Sequence, residues 1–140
     1  MTYPNDSGII IENKDFLERV MKYHESQEMY LETILVLKTK MPIVRSIDIA
    51  TELNYSRASV SRAVNLLQQA GYITIGKGGE INFTDAGRDK ANEIYDRHHV
   101  ITEVLMKIGA TPEIAEDNAC RIEHVVSEDL LKVMREYLGN

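Results

Sequence analysis

The sequence has a single cysteine, Cys120, and no apolar run long enough to cross a membrane. One cysteine excludes an internal disulfide, and a reducing compartment would keep its thiol available as a metal ligand. A membrane helix needs roughly 20 apolar residues, and the amino terminus lacks the basic and apolar regions of a secretory signal. The 140 residues, 44% of them hydrophobic, therefore predict a compact cytoplasmic protein of one domain or two small ones.

The net charge of −6 is distributed unevenly along the chain. Residues 41–90 carry six lysines and arginines against five aspartates and glutamates, whereas residues 91–140 carry five against ten. The middle of the chain is therefore slightly basic and the last third strongly acidic, which overall charge alone would hide. A divalent cation would offset carboxylate repulsion in the acidic third.

The middle of the chain has the order of elements of a winged helix-turn-helix. A short helix is predicted from Ser46, as its cap, to about residue 53, and a second from Arg57 to Ala70, capped by Ser56 and ending at Gly71. Two short strands, residues 72–75 and 80–83, flank a glycine-rich turn. Helix, tight turn, helix and hairpin predict a DNA-binding unit. The turn lacks the full pattern of a phosphate-binding loop, so nucleotide binding is not predicted.

The second of these helices has a face suited to DNA. Small hydroxyls and guanidiniums lie opposite its apolar positions, which are Val60, Ala63, Val64 and Leu67. The alternative is a small helical domain whose arginines and serines are merely solvated, but the order of the elements favours DNA. The residues predicted to contact DNA are Ser56, Arg57, Ala58, Ser59, Ser61, Arg62 and, from the wing, Lys77.

The segment from Glu116 to His124 gathers potential metal ligands on one helix face. Glu116, Cys120, Glu123 and His124 stand at offsets 0, 4, 7 and 8. Like charges at these offsets repel, and a cysteine is usually buried, so the stripe favours a bound cation. The plain alternative is surface decoration beside a small hydrophobic cysteine.

Two further pairs strengthen the metal hypothesis. His99 and Glu103 stand one helical turn apart, and Met29 and Glu32 form a similar pair near the other end of the chain. Three separate helices thus each offer ligands. His24 and His98 are interpreted as surface or outer-sphere groups.

The remaining elements are helical. Residues 1–13 are predicted to be a tail or docking segment, and residues 15–38 one long helix or two consecutive ones, with Phe16, Val20 and Tyr23 among the apolar positions. Further helices are predicted over residues 85–108, 112–125 and 127–139, with caps at Thr84 and Ser127. Apolar residues of the last helix need a partner, which predicts a twofold dimer. The domains are predicted as a tail and helix start at 1–25, a winged helix-turn-helix at 26–84, and a helical dimerisation and metal-binding domain at 85–140.

With these residues in view, the chain resembles the diphtheria toxin repressor family, the metal-activated bacterial regulators of iron and manganese homeostasis. The likeness covers about residues 26–138. Because the sequence ends at Asn140, it implies the short form without the SH3-like domain of longer members. Three stretches carry it: Glu28-Met-Tyr-Leu-Glu-Thr-Ile, Ser56-Arg-Ala-Ser-Val-Ser-Arg and Ala119-Cys-Arg-Ile-Glu-His-Val.

The resemblance implies a mainly α fold and a repressor of metal-homeostasis genes that binds double-stranded operator DNA as a homodimer. It is not expected to be an enzyme, to bind a membrane or to take an organic substrate. The family's primary site would fall on Met29, Cys120, Glu123 and His124, and its ancillary site on His99, Glu103 and Glu116. Glu116 departs from the histidine of iron-type members, and Glu32 matches a ligand of manganese-type members.

The ligand types suggest the ion. Thiolate and thioether favour iron(II), nickel, zinc or copper(I) over manganese. Iron(II) is therefore the expected co-repressor, manganese(II) is the alternative, and zinc, cobalt or nickel are expected to bind in vitro. For Met29 the plain alternative is packing in the core, which is common for methionine.

Two rival functions share parts of the pattern. A metal-independent winged-helix regulator would explain residues 1–90 but not the three ligand pairs. A metallohydrolase could use cysteine, histidine and glutamate, but no candidate general base stands apart from the ligand set.

Overall fold

The computed structural model describes residues 9–139, with side chains from residue 25 onward. A two-stranded wing interrupts a succession of helices, which confirms the predicted mainly α class with a winged helix-turn-helix. The elements in chain order are α1 (Ile9–Lys40), α2 (Ser46–Leu53), α3 (Arg57–Gln69), β1 (Ile73–Ile75), β2 (Ile81–Phe83), α4 (Asp85–Lys107), α5 (Pro112–Ile122) and α6 (Glu128–Tyr137).

Helix α1 is one continuous helix of 32 residues, which is the first of the two alternatives predicted from the sequence. It also begins earlier than predicted, because residues 9–13 belong to the helix and not to a tail. No proline or glycine lies between Ile9 and Lys40, so nothing in the sequence interrupts the backbone. The predictions for residues 1–8 and for the side chains of Phe16, Val20, Tyr23 and His24 lie outside the described residues.

Most predicted caps are present. The side chains of Ser56, Thr84 and Ser127 each accept a hydrogen bond from the backbone N–H three residues later. Ser46 is an exception, because it is the first residue of α2 and the cap position is Arg45. There the carboxylate of Asp48 accepts from the Arg45 N–H at 2.8 Å, which satisfies the helix start without the serine.

The wing is an antiparallel hairpin in which Ile73 pairs with Phe83 and Ile75 with Ile81. Gly79 has φ +81°, a left-handed conformation that the tight turn requires and that glycine adopts without strain. Helix α4 is fastened directly to this unit, since Thr84 Oγ1 donates to the Gly71 carbonyl at 2.6 Å. The start of α4 therefore keeps a fixed position relative to the DNA-binding unit.

Two hydrophobic cores lie one after the other along α4. The first joins α1, α2, α3 and the wing to Ala91 and Ile94, and the second joins Val100 and Ile101 to α5 and α6. Val60, Val64 and Leu67 are buried as predicted, and Ala63 is half-buried. Tyr95 is 43% exposed, because it lies on the outer side of α4. Between the two cores α4 carries a buried arginine and a buried histidine, Arg97 and His98.

Candidate metal centre

The polar side chains between the two cores come from three helices. Helix α1 approaches with its middle turns, α4 with residues 97 and 98, and α5 with its last turn and the residues just after it. Their charged groups contact one another across these elements. The contributing residues are Glu28, Met29, Glu32, Arg97, His98, Glu116, Cys120, Glu123 and His124.

Glu123 is the most buried member of this cluster, with no exposed surface. Its Oε2 lies 2.6 Å from His98 Nδ1, and its Oε1 lies 3.2 Å from His124 Nε2 without forming a hydrogen bond. Donor atoms of Glu32, His98 and Glu123 all lie within 4.8 Å of one another. A buried carboxylate oxygen without a hydrogen-bond donor, beside a second carboxylate and an imidazole, is a site that fits a cation.

His98 is held by carboxylates on both ring nitrogens. Nδ1 faces Glu123, and Nε2 lies 2.7 Å from Glu116 Oε2, while Cys120 Sγ lies 4.0 Å from Nδ1. The hydrogen bond to Glu123 is the main reason that the pKa of His98 rises to about 9, against the opposing effect of burial. The imidazole is therefore protonated at neutral pH when no cation is present.

His124 is also surrounded by carboxylates. Its Nδ1 lies 3.1 Å from Glu28 Oε1 and its Nε2 lies 3.7 Å from Glu32 Oε2. Burial alone would lower the pKa of His124, but its contacts with the carboxylates of Glu123 and Glu28 outweigh it and raise the pKa to about 9.

The acidic groups of the cluster differ in their protonation state at neutral pH. Burial, together with the neighbouring carboxylate of Glu123 and its negative charge, raises the pKa of Glu32 to about 8. Burial also acts to raise the pKa of Glu123, but its contacts with His124, His98 and Glu32 lower that pKa to about 2. Burial and the nearby carboxylates raise the pKa of the Cys120 thiol to about 11. Without a cation, protons thus occupy the groups that would otherwise repel or stay unpaired.

A cavity of about 350 Å³ opens beside the cluster. Carboxylates, an imidazole, a thiol and a thioether converge on it from α1, α2 and α5. This donor set suits a first-row divalent ion of intermediate softness. The lining residues are Met29, Glu32, Thr33, Val36, Glu52, Leu53, Cys120, Glu123 and His124.

The structure brings together most of the ligands predicted from sequence. Met29, Glu32, Cys120, Glu123 and His124 line the cavity. Met29 is half-buried and also packs against the first core, and the Tyr55 hydroxyl lies 3.9 Å from its sulfur. Glu116 contacts His98 and not the cavity.

The structure does not place His99 and Glu103 in the cluster, and their role in an ancillary site stays a prediction. Both are exposed, and the His99 ring lies edge-on to Tyr95 at 4.4 Å. His98, interpreted from sequence as peripheral, is 7% exposed and lies inside the cluster. Helical spacing could have indicated this, because His98 is four residues after buried Ile94 and three before buried Ile101.

Glu28 and Arg97 were missed by the sequence reasoning. Arg97 Nη1 donates to Glu28 Oε1 at 3.0 Å and to the Glu123 carbonyl at 2.8 Å. Burial alone would raise the pKa of Glu28, but the hydrogen bond with His124 and the charges of Arg97 and Lys90 lower it below the ordinary value. Partners this distant in the sequence give no periodic signal.

The candidate DNA-binding face is exposed. Arg57, Ala58, Ser61, Arg62 and Lys77 are all accessible, and among the described residues none of their cationic groups has an ion pair. Ser56 accepts the N–H of Ser59 and donates from its hydroxyl to the Ser59 hydroxyl at 2.9 Å, so both serines shape the start of α3. A groove of about 370 Å³ is lined by Ser46, Ile47, Arg57 and Ser61.

Within the part of the chain that the structure describes, no helix is both long and apolar enough to span a membrane.

Comparison with known proteins gives two family matches that together cover most of the chain. Residues 22–79 match the family described as "Iron dependent repressor, N-terminal DNA binding domain". Residues 84–140 match "Iron dependent repressor, metal binding and dimerisation domain".

The chain is similar to individual transcriptional regulators, one of which is named an iron-dependent repressor. The chain is 31% identical over 106 residues to the transcriptional regulator MntR of Escherichia coli O157:H7, covering 76% of this chain and 68% of that protein. It is 29% identical over 117 residues to the iron-dependent repressor IdeR of Mycobacterium tuberculosis, covering 83% of this chain and 51% of that protein. The solved structure of T. acidophilum IdeR superposes with a TM-score of 0.65 at 25% identity, over 83% of this chain and 54% of that one.

Proposed function

The chain belongs to the iron-dependent repressor family of metal-dependent transcriptional repressors, and from this premise we propose that ferrous iron is the ion to which it responds. Manganese(II) is the alternative, because similar proteins include a regulator named for each behaviour. The proposed site of action is the cytoplasm, and the proposed targets are operators of metal-homeostasis genes.

A single observation carries the proposal. Glu123 is fully buried, and its Oε1 forms no hydrogen bond although His124 Nε2 lies 3.2 Å away. Potential metal-ligand atoms of Glu32 and His98 lie within 4.8 Å of its carboxylate. A carboxylate oxygen in this state costs free energy unless a cation or a water neutralises it. We propose that Met29, Glu32, His98, Cys120, Glu123 and His124 hold the ion.

The donor set supports iron over manganese. Cys120 and Met29 add sulfur to a cluster that otherwise consists of oxygen and imidazole nitrogen. Sulfur ligands favour iron(II) over manganese(II), whereas oxygen ligands favour manganese. When bound, a divalent ion would supply positive charge to the buried carboxylates and tie α1 to α4 and α5.

The position of α1 connects this centre to DNA binding. Glu32 lies on α1, whose residues Leu31, Ile34 and Leu37 form the first core with α2 and α3. An ion that binds Glu32 together with His98 and Glu123 would therefore orient α3 relative to the carboxy-terminal half. Shifting such an equilibrium from about 1% to about 99% competent needs roughly 5.5 kcal/mol of differential affinity.

The residues proposed to read DNA lie on the exposed start of α3 and on the wing. Arg57 and Arg62 would contact phosphates or base edges, and Lys77 would contact phosphate. Ser61 and Ala58 would contact the DNA backbone, while Ser56 and Ser59 shape the start of α3. The domain boundaries are proposed at residues 26–84 for the reader and 85–140 for dimerisation and metal binding.

The proposed homodimer involves the carboxy-terminal helices. Ile114 on α5 and Val133 on α6 are 55% and 58% exposed, and Leu130 is 45% exposed. Apolar surface of this extent on a domain of a dimerising family is suited to a second copy. Two recognition helices would then face half-sites roughly 34–36 Å apart.

An anaerobic DNA-binding titration tests the proposal. Duplexes selected from a random library by the metal-loaded protein serve as probe, with chelator or with iron(II), manganese(II), zinc or cobalt. We expect high affinity only with an ion, strongest with iron(II), and loss of that dependence in His124→Ala. High affinity in chelator for both proteins would instead indicate the metal-independent winged-helix regulator.

A further inference from the structure

Glu28 and Arg97 lie outside the proposed ligand set but contact two of its members. Glu28 Oε1 lies 3.1 Å from His124 Nδ1, and Arg97 Nη1 reaches both Glu28 and the Glu123 carbonyl. The side chains are 13% exposed for Glu28, 7% for Arg97 and 10% for His124. One carboxylate and one guanidinium thus link α1, α4 and the residue that follows α5.

We propose that Glu28 and Arg97 are positioning residues of the metal centre, an inference that rests on the proposed function. They hold the imidazole of His124 and the end of α5 in place before any ion arrives. Neither contributes a donor atom to the ion, so their effect is exerted through His124 and Glu123.

Glu28 acts on the orientation of the imidazole. It occupies Nδ1 of His124, which leaves Nε2 directed to the side where Glu32 Oε2 lies 3.7 Å away and Glu123 Oε1 3.2 Å away. Metal-binding histidines commonly donate their other ring N–H to a carboxylate, which fixes the ring and its tautomer. Without Glu28 the ring would have to be ordered when the ion binds.

Arg97 acts on the backbone at the end of α5. Glu123 is the C-cap of α5, where helix carbonyls have no partner within the helix. The guanidinium donates to that carbonyl at 2.8 Å while it is paired with Glu28. Because the same group holds α1, it sets the separation between Glu32 on one side and Cys120 and Glu123 on the other.

A lysine could not replace this arginine. The planar guanidinium reaches Glu28 and the Glu123 carbonyl with Nη1 and Glu93 with Nη2, at 3.5 Å. An ammonium is a point charge on a flexible stem and does not reproduce this fork. Arg97→Lys therefore preserves charge while losing geometry, which separates positioning from simple electrostatics.

The test compares Glu28→Ala, Glu28→Gln and Arg97→Lys with the parent and with Asp96→Asn. Asp96 is a matched control because it also sits on α4 and forms an interhelical ion pair, with Arg135 at 2.7 Å. The readouts are cobalt(II) affinity by anaerobic calorimetry, the visible spectrum of the cobalt complex, and thermal unfolding of the metal-free protein.

We expect Glu28→Ala and Arg97→Lys to weaken cobalt(II) binding about 10–100-fold and to alter the cobalt spectrum, as loss of a group supporting a ligand does. Glu28→Gln should lose less, because its amide oxygen can still accept from His124 Nδ1. Asp96→Asn should bind cobalt(II) as the parent does.

The outcomes separate this inference from the function beneath it. A parent that fails to bind cobalt(II) would remove the proposed function itself. If the parent binds, and Glu28→Gln and Arg97→Lys match its affinity within about twofold and its spectrum, the positioning role is overturned and the function stands. Affinity losses that follow the loss of thermal stability, with an unchanged spectrum, would also overturn it. The Gln and Lys variants keep the test decisive where Glu28→Ala does not fold.

Discussion

At the junction of α1, α4 and α5 each arginine and histidine lies against a carboxylate, whereas on α3 and the wing the cations face solvent. Arg97, His98 and His124 have carboxylate contacts between 2.6 and 3.7 Å. Among the described residues, Arg57, Arg62 and Lys77 have no ion pair. Paired, buried charge creates a site with a fixed shape, and unpaired, exposed charge is available to phosphates. We therefore propose that the first region binds the cation and the second binds DNA.

The largest effect is expected from removing the centre of the buried region. Glu123→Ala would leave His98 and His124 without their shared carboxylate. We expect loss of measurable cobalt(II) binding and a decrease of about 3 kcal/mol in the free energy of unfolding, as when a buried ion pair loses one partner. Urea unfolding and calorimetry measure the two effects. Exposed Glu113, on the same helix, supplies the control Glu113→Ala, and equal stability of the two variants would refute the expectation.

Neighbouring histidines sharpen the comparison within one helix. His98→Ala should weaken cobalt(II) binding by more than about 100-fold, because it removes a proposed ligand, beyond the range for supporting groups. His99→Ala should leave affinity unchanged, since His99 is exposed against Tyr95. Calorimetry on both variants decides. A larger loss of cobalt(II) affinity in His99→Ala than in His98→Ala would support the ligand role predicted for His99 from the sequence.

How far the sequence predicts each region follows from the range of its contacts. Helix caps, the Asn54 turn with φ 56° and the hairpin depend on neighbours within a few residues, so Ser56, Thr84 and Ser127 were found. The α5 stripe was likewise visible because one helix face carries it. Whether His98 or His99 faces the cluster depends on how α4 is rotated relative to both cores, which the sequence of α4 alone did not show.

Glu28 and Arg97 show the other limit. They pair across 69 positions, and the Arg97 contact to the Glu123 carbonyl spans 26. Arg97 has Glu93 four residues before it and Glu28 has Glu32 four residues after it, but neither spacing indicates a contact between α1 and α4. Long-range ion pairs of this kind depend on how α1 packs against α4, which local pattern does not determine.

On the exposed side, Arg62→Ala tests whether unpaired cations bind DNA. We expect operator affinity to fall about 10-fold, or roughly 1.4 kcal/mol, as for the loss of one base or phosphate contact, with cobalt(II) affinity unchanged. Fluorescence anisotropy with the selected duplex measures the former. Arg121→Ala is the control, because Arg121 is exposed on α5 and pairs with Asp117. Equal operator affinity for Arg62→Ala and parent would remove Arg62 from the interface.

A smaller effect is expected from pH, which should change the metal affinity of the buried region only. With the pKa values of His98 and His124 raised to about 9 and that of Glu32 to about 8, these groups hold protons at pH 7 in the metal-free protein. An ion must displace those protons, so apparent affinity should rise from about pH 6.5 to about pH 8. Calorimetry with manganese(II) in buffers of different ionisation enthalpy should detect proton release. Binding of manganese(II) without release of protons, and with the same affinity across this pH range, would contradict these protonation states.

The most direct test is anomalous diffraction from crystals of the parent protein grown anaerobically with iron(II) or manganese(II). The account predicts one strong anomalous peak in direct contact with side chains from both ends of the chain, Glu32 on α1 and Glu123 and His124 beside α5. A fully loaded crystal whose peaks all lie elsewhere, with Glu123 and His124 still turned to each other, would contradict it.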